Sequence, residues 1–169
     1  PGTNKRDSYS RSYITRHYRY FRLFTLKFKI ISIGKMKNKN LATIARDFEK
    51  RISHDAKLEM IQIKDSNPQI EGERISIHLV KNHSYNITMS EEGDYLSSQA
   101  LALLFKSRTE PITFIIGGPD GLSDKVKKES QMTLSLSPMT FTHEMAKIFL
   151  LEQIYRAISI IKNRNYHKG

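Results

Sequence analysis

The residues best suited to chemistry lie in the last third of the chain, Ile112 to Lys168. Phe114 to Ile116 is apolar and breaks into Gly117, Gly118, Pro119, Asp120 and Gly121, the pattern of a buried strand entering a tight turn. Paired glycines let the backbone approach another segment or a ligand closely. Ser135 to Phe141 is a loop rich in small hydroxyl residues, and a helix from about Thr142 to Ile161 follows it. A strand end, a Gly turn and a Ser/Thr loop together offer many backbone N–H and C=O groups to a small polar ligand. His143, just past that loop, is placed to touch a phosphate or take a proton; capping the helix or lying on the surface is its plainer role. Glu144 reads as a favourable charge near a helix N-terminus, with no chemistry assigned. Arg156 interrupts an apolar helix, where a cation needs an anionic or carbonyl partner, either a structural carboxylate or a substrate phosphate. Asn165, Tyr166, His167 and Lys168 end the chain with an aromatic, an imidazole and an ammonium, a set suited to stacking on a base and neutralising a phosphate.

Other chemistries lack their motifs. No G-x-x-x-x-G-K-[ST] loop supports nucleotide hydrolysis, and no G-x-S-x-G elbow supports a serine hydrolase. The chain has no cysteine, which removes disulfides and thiolate metal sites and leans towards a reducing compartment.

The elements that must position these residues alternate between strand and helix. Phe28 to Ile33 is a first strand ending at Gly34 and a basic loop with Lys35, Lys37 and Lys39. Leu41, Ile44, Ala45, Phe48 and Ile52 form a helical stripe. Leu58 to Ile63 reads as a second strand, Glu71 to Lys81 as a helix and Tyr85 to Met89 as a third strand, followed by a polar turn from Ser90 to Asp94. Ser97 or Ser98 caps the next helix. Ile112 to Ile116 is the fourth strand, Asp124 to Gln131 a short basic helix and Thr133 to Leu136 the fifth strand. This alternation predicts a single α/β domain with a mostly parallel sheet. The last helix carries Met145, Ile148, Phe149, Leu151, Ile154, Tyr155, Ile158 and Ile161 on more than one face, so it must be buried against two surfaces; the sheet can be one and a second subunit the other.

The 169 residues, 38% of them hydrophobic, suffice for one domain with a core. Net charge is +11; residues 1–25 contribute +5 and the remainder +6, so the domain is basic even without its arm and favours a polyanionic partner such as RNA. Residues 1–25 read as a basic extension, disordered or outside the natural domain, with the domain itself over residues 26–169. No apolar run approaches the roughly 18 residues of a membrane span, which leads to the expectation of a soluble protein.

The segments KFKIISIGKMKN, ITMSEEGDYLSSQALA, IIGGPDGL, SLSPMTFTHEMAKIFLLEQIYRA and the terminal NYHK, in this order, resemble the RlmH family of SPOUT-type methyltransferases. The resemblance covers roughly Leu26 to Lys168. It implies a single SPOUT domain with a C-terminal trefoil knot, the last helix threading the segment around Gly117 to Leu122. It implies S-adenosylmethionine as cofactor, held by Met89, Gly117, Leu136, Ser137, Pro138, Met139, Thr140 and Phe141, with no metal. It implies methylation of N3 of a pseudouridine in large-subunit ribosomal RNA by a cytoplasmic homodimer acting on the ribosome. His143, Arg156, Tyr166 and His167 are then the substrate-facing residues, with His143 and His167 both candidates for the general base. The alternatives are a SPOUT enzyme acting on transfer RNA and a non-catalytic RNA- or ribosome-binding protein.

Overall fold

The structure, a computed structural model, describes residues 25–80 and 83–168. Almost all of the basic extension, residues 1–24, lies outside the described residues, as does Lys81, the expected end of the second helix. Five strands and five α-helices follow in the order β1 (Leu26–Ile33), α1 (Lys39–Ser53), β2 (Ala56–Ile63), α2 (Pro68–Val80), β3 (Tyr85–Tyr95), α3 (Ser98–Ser107), β4 (Ile112–Ile116), α4 (Asp124–Lys128), β5 (Met132–Ser135) and α5 (His143–Ile161). A 3-10 turn, Asn165–Lys168, closes the described chain.

The strands form one sheet in the order β2-β1-β4-β3-β5, and every neighbouring pair is parallel. Alternation along β1 explains the layers. Phe28 and Ile30 face one side, where Ala45 and Ile52 of α1, Phe105 of α3 and Ile154 and Ile158 of α5 pack with Phe114. Ile31 and Ile33 face the other, against Ile75 and Leu79 of α2 and Val126 of α4. A parallel strand covered on both sides is apolar throughout, and all five residues of β4 are buried.

Several boundaries differ from the sequence expectation, and two of the differences have a clear local cause. The second helix starts at Pro68, because the side chain of Asn67 accepts the N–H of Ile70 at 2.9 Å and a proline needs no N–H donor in the first turn. The stretch expected to turn at Ser90 to Asp94 instead prolongs β3 to Tyr95, with a register shift on β5 between Met89 and Asp94. Gly93 permits this, since a Cβ there would lie 2.7 Å from the backbone of Thr133 and Leu134. Both β1 and β4 end at one edge of the sheet, and their connections leave towards opposite faces. That divergence opens a crevice outside the carboxyl ends of the strands.

Candidate active site

The crevice is a cavity of about 1030 Å³ whose walls come from the ends of β3, β4 and β5 and the loops that follow them. Met89, Gly117, Leu136, Ser137, Met139, Thr140 and Phe141 all line it. Of the eight residues expected around a cofactor, Pro138 alone is not on the wall; it is exposed. Sequence reasoning missed Asn38 and Leu41, which reach the cavity from the start of α1, and Glu91 and Glu92 from the prolonged β3.

Local chemistry shapes each wall. The Gly117 turn runs so close to its own return that a Cβ on Gly117 would sit 2.9 Å from the carbonyl carbon of Gly121. Gly121 takes φ +77°, a left-handed turn that glycine enters without cost. The Ser/Thr loop is wound by its own hydroxyls. Ser135 Oγ donates to the Ser137 carbonyl at 2.8 Å and accepts the Ser137 N–H at 3.2 Å, while Ser137 Oγ accepts the Met139 N–H at 3.1 Å. Among the described residues no hydrogen bond from the fold engages the backbone of Thr140 or Phe141. The ring of Phe141 leans on Phe149, centroids 4.9 Å apart.

Thr142 caps α5, its hydroxyl accepting the Met145 N–H at 3.3 Å, which frees His143 from the capping role. His143 lines the cavity, and its Nε2 is buried without a hydrogen-bond partner. Glu144 does more than complement a helix end: its carboxylate accepts the N–H of Lys37 at 2.8 Å and of Asn38 at 3.2 Å. Those two bonds, the Lys37 bond the stronger, hold its pKa below the ordinary carboxylate value.

Arg156, Tyr166 and His167 form a second cluster. Glu152 Oε1 accepts from Arg156 Nε at 2.9 Å and Nη2 at 2.6 Å, and from the Tyr166 hydroxyl at 3.1 Å. The Arg156 guanidinium lies 4.9 Å from the Tyr166 ring centroid, and that ring meets Tyr155 edge-on at 4.7 Å. His167 Nε2 is 2.8 Å from Gln99 Nε2, and its Nδ1 is buried without a partner. The tail is therefore folded back on α5. Glu152 follows His143 by roughly 14 Å along the helix and half a turn round it. The two clusters thus lie on opposite sides of α5, and one copy of the chain does not bring His143 together with Tyr166 and His167.

Among the described residues no three His, Cys, Asp or Glu side chains converge as a metal site, and no helix is long and apolar enough to cross a membrane.

The fold is shared with solved structures. A probable methyltransferase from Bordetella pertussis Tohama I superposes with a TM-score of 0.54 over 79% of this chain and 95% of its own, at 9% identity. A probable methylase family protein from Haemophilus influenzae Rd KW20 gives a TM-score of 0.53 over 85% of this chain and 71% of its own, at 13% identity. Sequence likeness is closer. A protein named ribosomal RNA large subunit methyltransferase H from Coprothermobacter proteolyticus is 35% identical over 85% of this chain and 100% of its own length. One of the same name from Acholeplasma laidlawii is 41% identical with the same coverage. The family model described as predicted SPOUT methyltransferase matches residues 26–167, so the chain belongs to the SPOUT methyltransferase family.

Proposed function

We propose that this methyltransferase places a methyl group on N3 of a pseudouridine in large-subunit ribosomal RNA, acting on the ribosome in the cytoplasm as a homodimer. The observation that carries the reading is the match, along their whole length, to relatives whose names state methylation of large-subunit ribosomal RNA. The cavity supports S-adenosylmethionine as the cofactor. Met89, Ile116, Leu136, Met139 and Phe141 give it apolar walls, and the unengaged backbone of Thr140 and Phe141 offers the donors and acceptors that an adenine edge takes. Pro138 contributes by shaping the loop, since it has no N–H to give.

Bound there, S-adenosylmethionine supplies a methyl group made electrophilic by a sulfonium. The residues of the chain hold and orient, and they manage one proton. N3 of the base carries a hydrogen that must leave for the ring nitrogen to attack. His143 is the candidate base on the cavity wall, with an Nε2 that no protein group occupies. Tyr166, His167 and Arg156 face the substrate from the second copy, which supplies the cluster that one copy keeps on the far side of its own helix. Tyr166 suits stacking on a base, Arg156 suits a phosphate, and His167 is the second candidate base.

The test is transfer of tritium from labelled S-adenosylmethionine to ribosomes from cells lacking the enzyme, with free ribosomal RNA and transfer RNA in parallel. Label is expected in the large subunit, mapping to a pseudouridine. Label in transfer RNA alone would overturn the substrate while leaving the family intact.

A further inference from the structure

The loop between β1 and α1 and the outer side of α1 carry a row of exposed cations. Lys35, Lys37 and Lys39 are exposed, and Arg46 and Lys50 continue the line along the helix. Lys39, Arg46 and Lys50 are spaced by seven and four residues, which places them on one side of α1 over roughly 16 Å. Among the described residues none of the five lies within ion-pairing distance of a carboxylate. Of the acids nearest in sequence, Asp47 is occupied elsewhere, pairing with Arg51 at 2.7 Å. Arg46 is steadied by the Thr43 hydroxyl, at 3.1 Å.

The loop is held firmly. Gly34 turns it at φ +77° and donates its N–H to the Ile63 carbonyl at 2.9 Å. Asn38 caps α1, its side chain accepting the N–H groups of Asn40 at 2.9 Å and Leu41 at 3.3 Å. Glu144, reaching from the cavity wall on α5, grips the loop backbone at Lys37 and Asn38. Three anchors thus fix a short loop that exposes its lysines, and two of the anchors, Asn38 and Glu144, line the cavity itself. Helix electrostatics accounts for Lys50, in the last turn of α1, but not for Lys39, which stands in the first turn, where no acid is present and a cation is disfavoured by the helix dipole.

We propose that Lys35, Lys37, Lys39, Arg46 and Lys50 form the track that binds the phosphate backbone of the substrate RNA next to the reacting nucleotide, with Glu144 positioning the loop end of that track at the cavity mouth. The inference rests on the reading of this protein as an RNA methyltransferase. Phosphate contacts by lysines position a nucleic acid without reading its sequence, and each contact releases counterions. The track therefore governs the affinity for RNA and its dependence on salt, and leaves cofactor binding alone.

The test compares the triple variant K35Q/K37Q/K39Q with a control triple, K57Q/K64Q/K128Q, which removes the same charge from exposed positions on β2, its following loop and α4. Methyl transfer to large subunits is measured as a function of subunit concentration between about 50 and 200 mM potassium chloride. The track variant is expected to raise KM on the order of tenfold with kcat nearly kept, and to flatten the plot of log(kcat/KM) against log salt by about 2 to 3 in slope. Calorimetric affinity for S-adenosylmethionine and the melting temperature should match wild type. Equal behaviour of the two triples, or a parallel loss of cofactor affinity or fold, overturns the track. If the wild-type enzyme labels no RNA at all, it is the RNA-methyltransferase reading that fails.

Discussion

At the scale of single residues, Glu152 organises the tail cluster. One carboxylate oxygen takes Arg156 and Tyr166, and the other takes Gln153 Nε2 at 2.7 Å. Arg156 and Glu152 are about three-quarters screened from solvent, with side-chain exposures of 23% and 20%, so their pairing is worth more than a surface ion pair. Glu152→Gln keeps the shape and removes the charge, and it should lower stability by about 1–2 kcal/mol, seen as a shift in the urea midpoint. An unchanged midpoint would mean that the carboxylate contributes nothing to the fold. The sequence made Arg156 conspicuous and left its partner open between protein and substrate. Within one copy that partner is a carboxylate one turn earlier, legible as an i,i+4 pair once α5 is granted. Thr142 as the cap of α5 was equally legible. The grip of Glu144 on Lys37 and Asn38 was not, because it joins positions more than a hundred residues apart and depends on how α5 lies against the loop.

At the scale of elements, periodicity revealed every strand and helix but not how far β3 runs. Glu91, Glu92, Gly93 and Asp94 carry no apolar alternation, since this stretch bulges between the pairings of Met89 and Asp94 with β5 and its acidic residues are exposed, Glu91 and Glu92 at the cavity wall. The C-terminal turn was likewise invisible to pattern, because its order comes from charges on distant elements. Asp55, just before β2, binds Lys162 and Arg164, the latter through Nη2 at 2.9 Å, and so pins the end of α5. Burial pushes the Asp55 carboxyl up, but the bonds from Arg164 and Lys162 outweigh it and the pKa falls below the ordinary 3.8. A depressed carboxyl adds stability above the ordinary value and loses it as pH drops through the lowered one. Tyr166 is opposite in sense: burial first, then the Glu152 charge, raise its pKa above 10.0. Its contribution is complete below pH 10.0 and is lost as pH climbs through the raised value. The tail should therefore stay docked across the neutral range and loosen at both extremes. Asp55→Asn should loosen it already at neutral pH, seen as sharpened NMR signals from Asn165 to His167. Signals unchanged in that variant would show that the tail docks without Asp55.

At the scale of the molecule, part of the exposed apolar surface lies beside α5, where the proposed second copy would sit, while Ile70, Ile77 and Val80 are exposed on α2. Phe149 and Phe141, 38% and 36% exposed, flank a smaller cavity of about 410 Å³ between the start of α3 and the middle of α5. Leu103 at 65% and Tyr95 at 59% add to the apolar surface of α3 and the end of β3. The sequence called for a second surface against α5; within one copy α1 and α3 supply it for Ile148, Leu151, Ile154 and Ile158, and Phe149 is left exposed. It did not reveal that His143 and the Tyr166–His167 tail face opposite ways, since that depends on the tail folding back along the helix. The proposed homodimer requires a two-fold pairing through this region in which each tail meets the other copy's cavity. Two inactive variants, His143→Ala and His167→Ala, then carry complementary defects. Mixed after dissociation and reassociation, half of the dimers are hybrids with one intact site out of two, so about a quarter of wild-type methyl transfer should return. Phe149→Glu should yield a monomer in light scattering and give no such recovery with either partner. Full activity in that monomer would show that a single copy suffices and that its tail must leave Glu152 to reach the base. No recovery from the mixture, with hybrids verified by mass, would mean that His143 and His167 of the same chain serve one site.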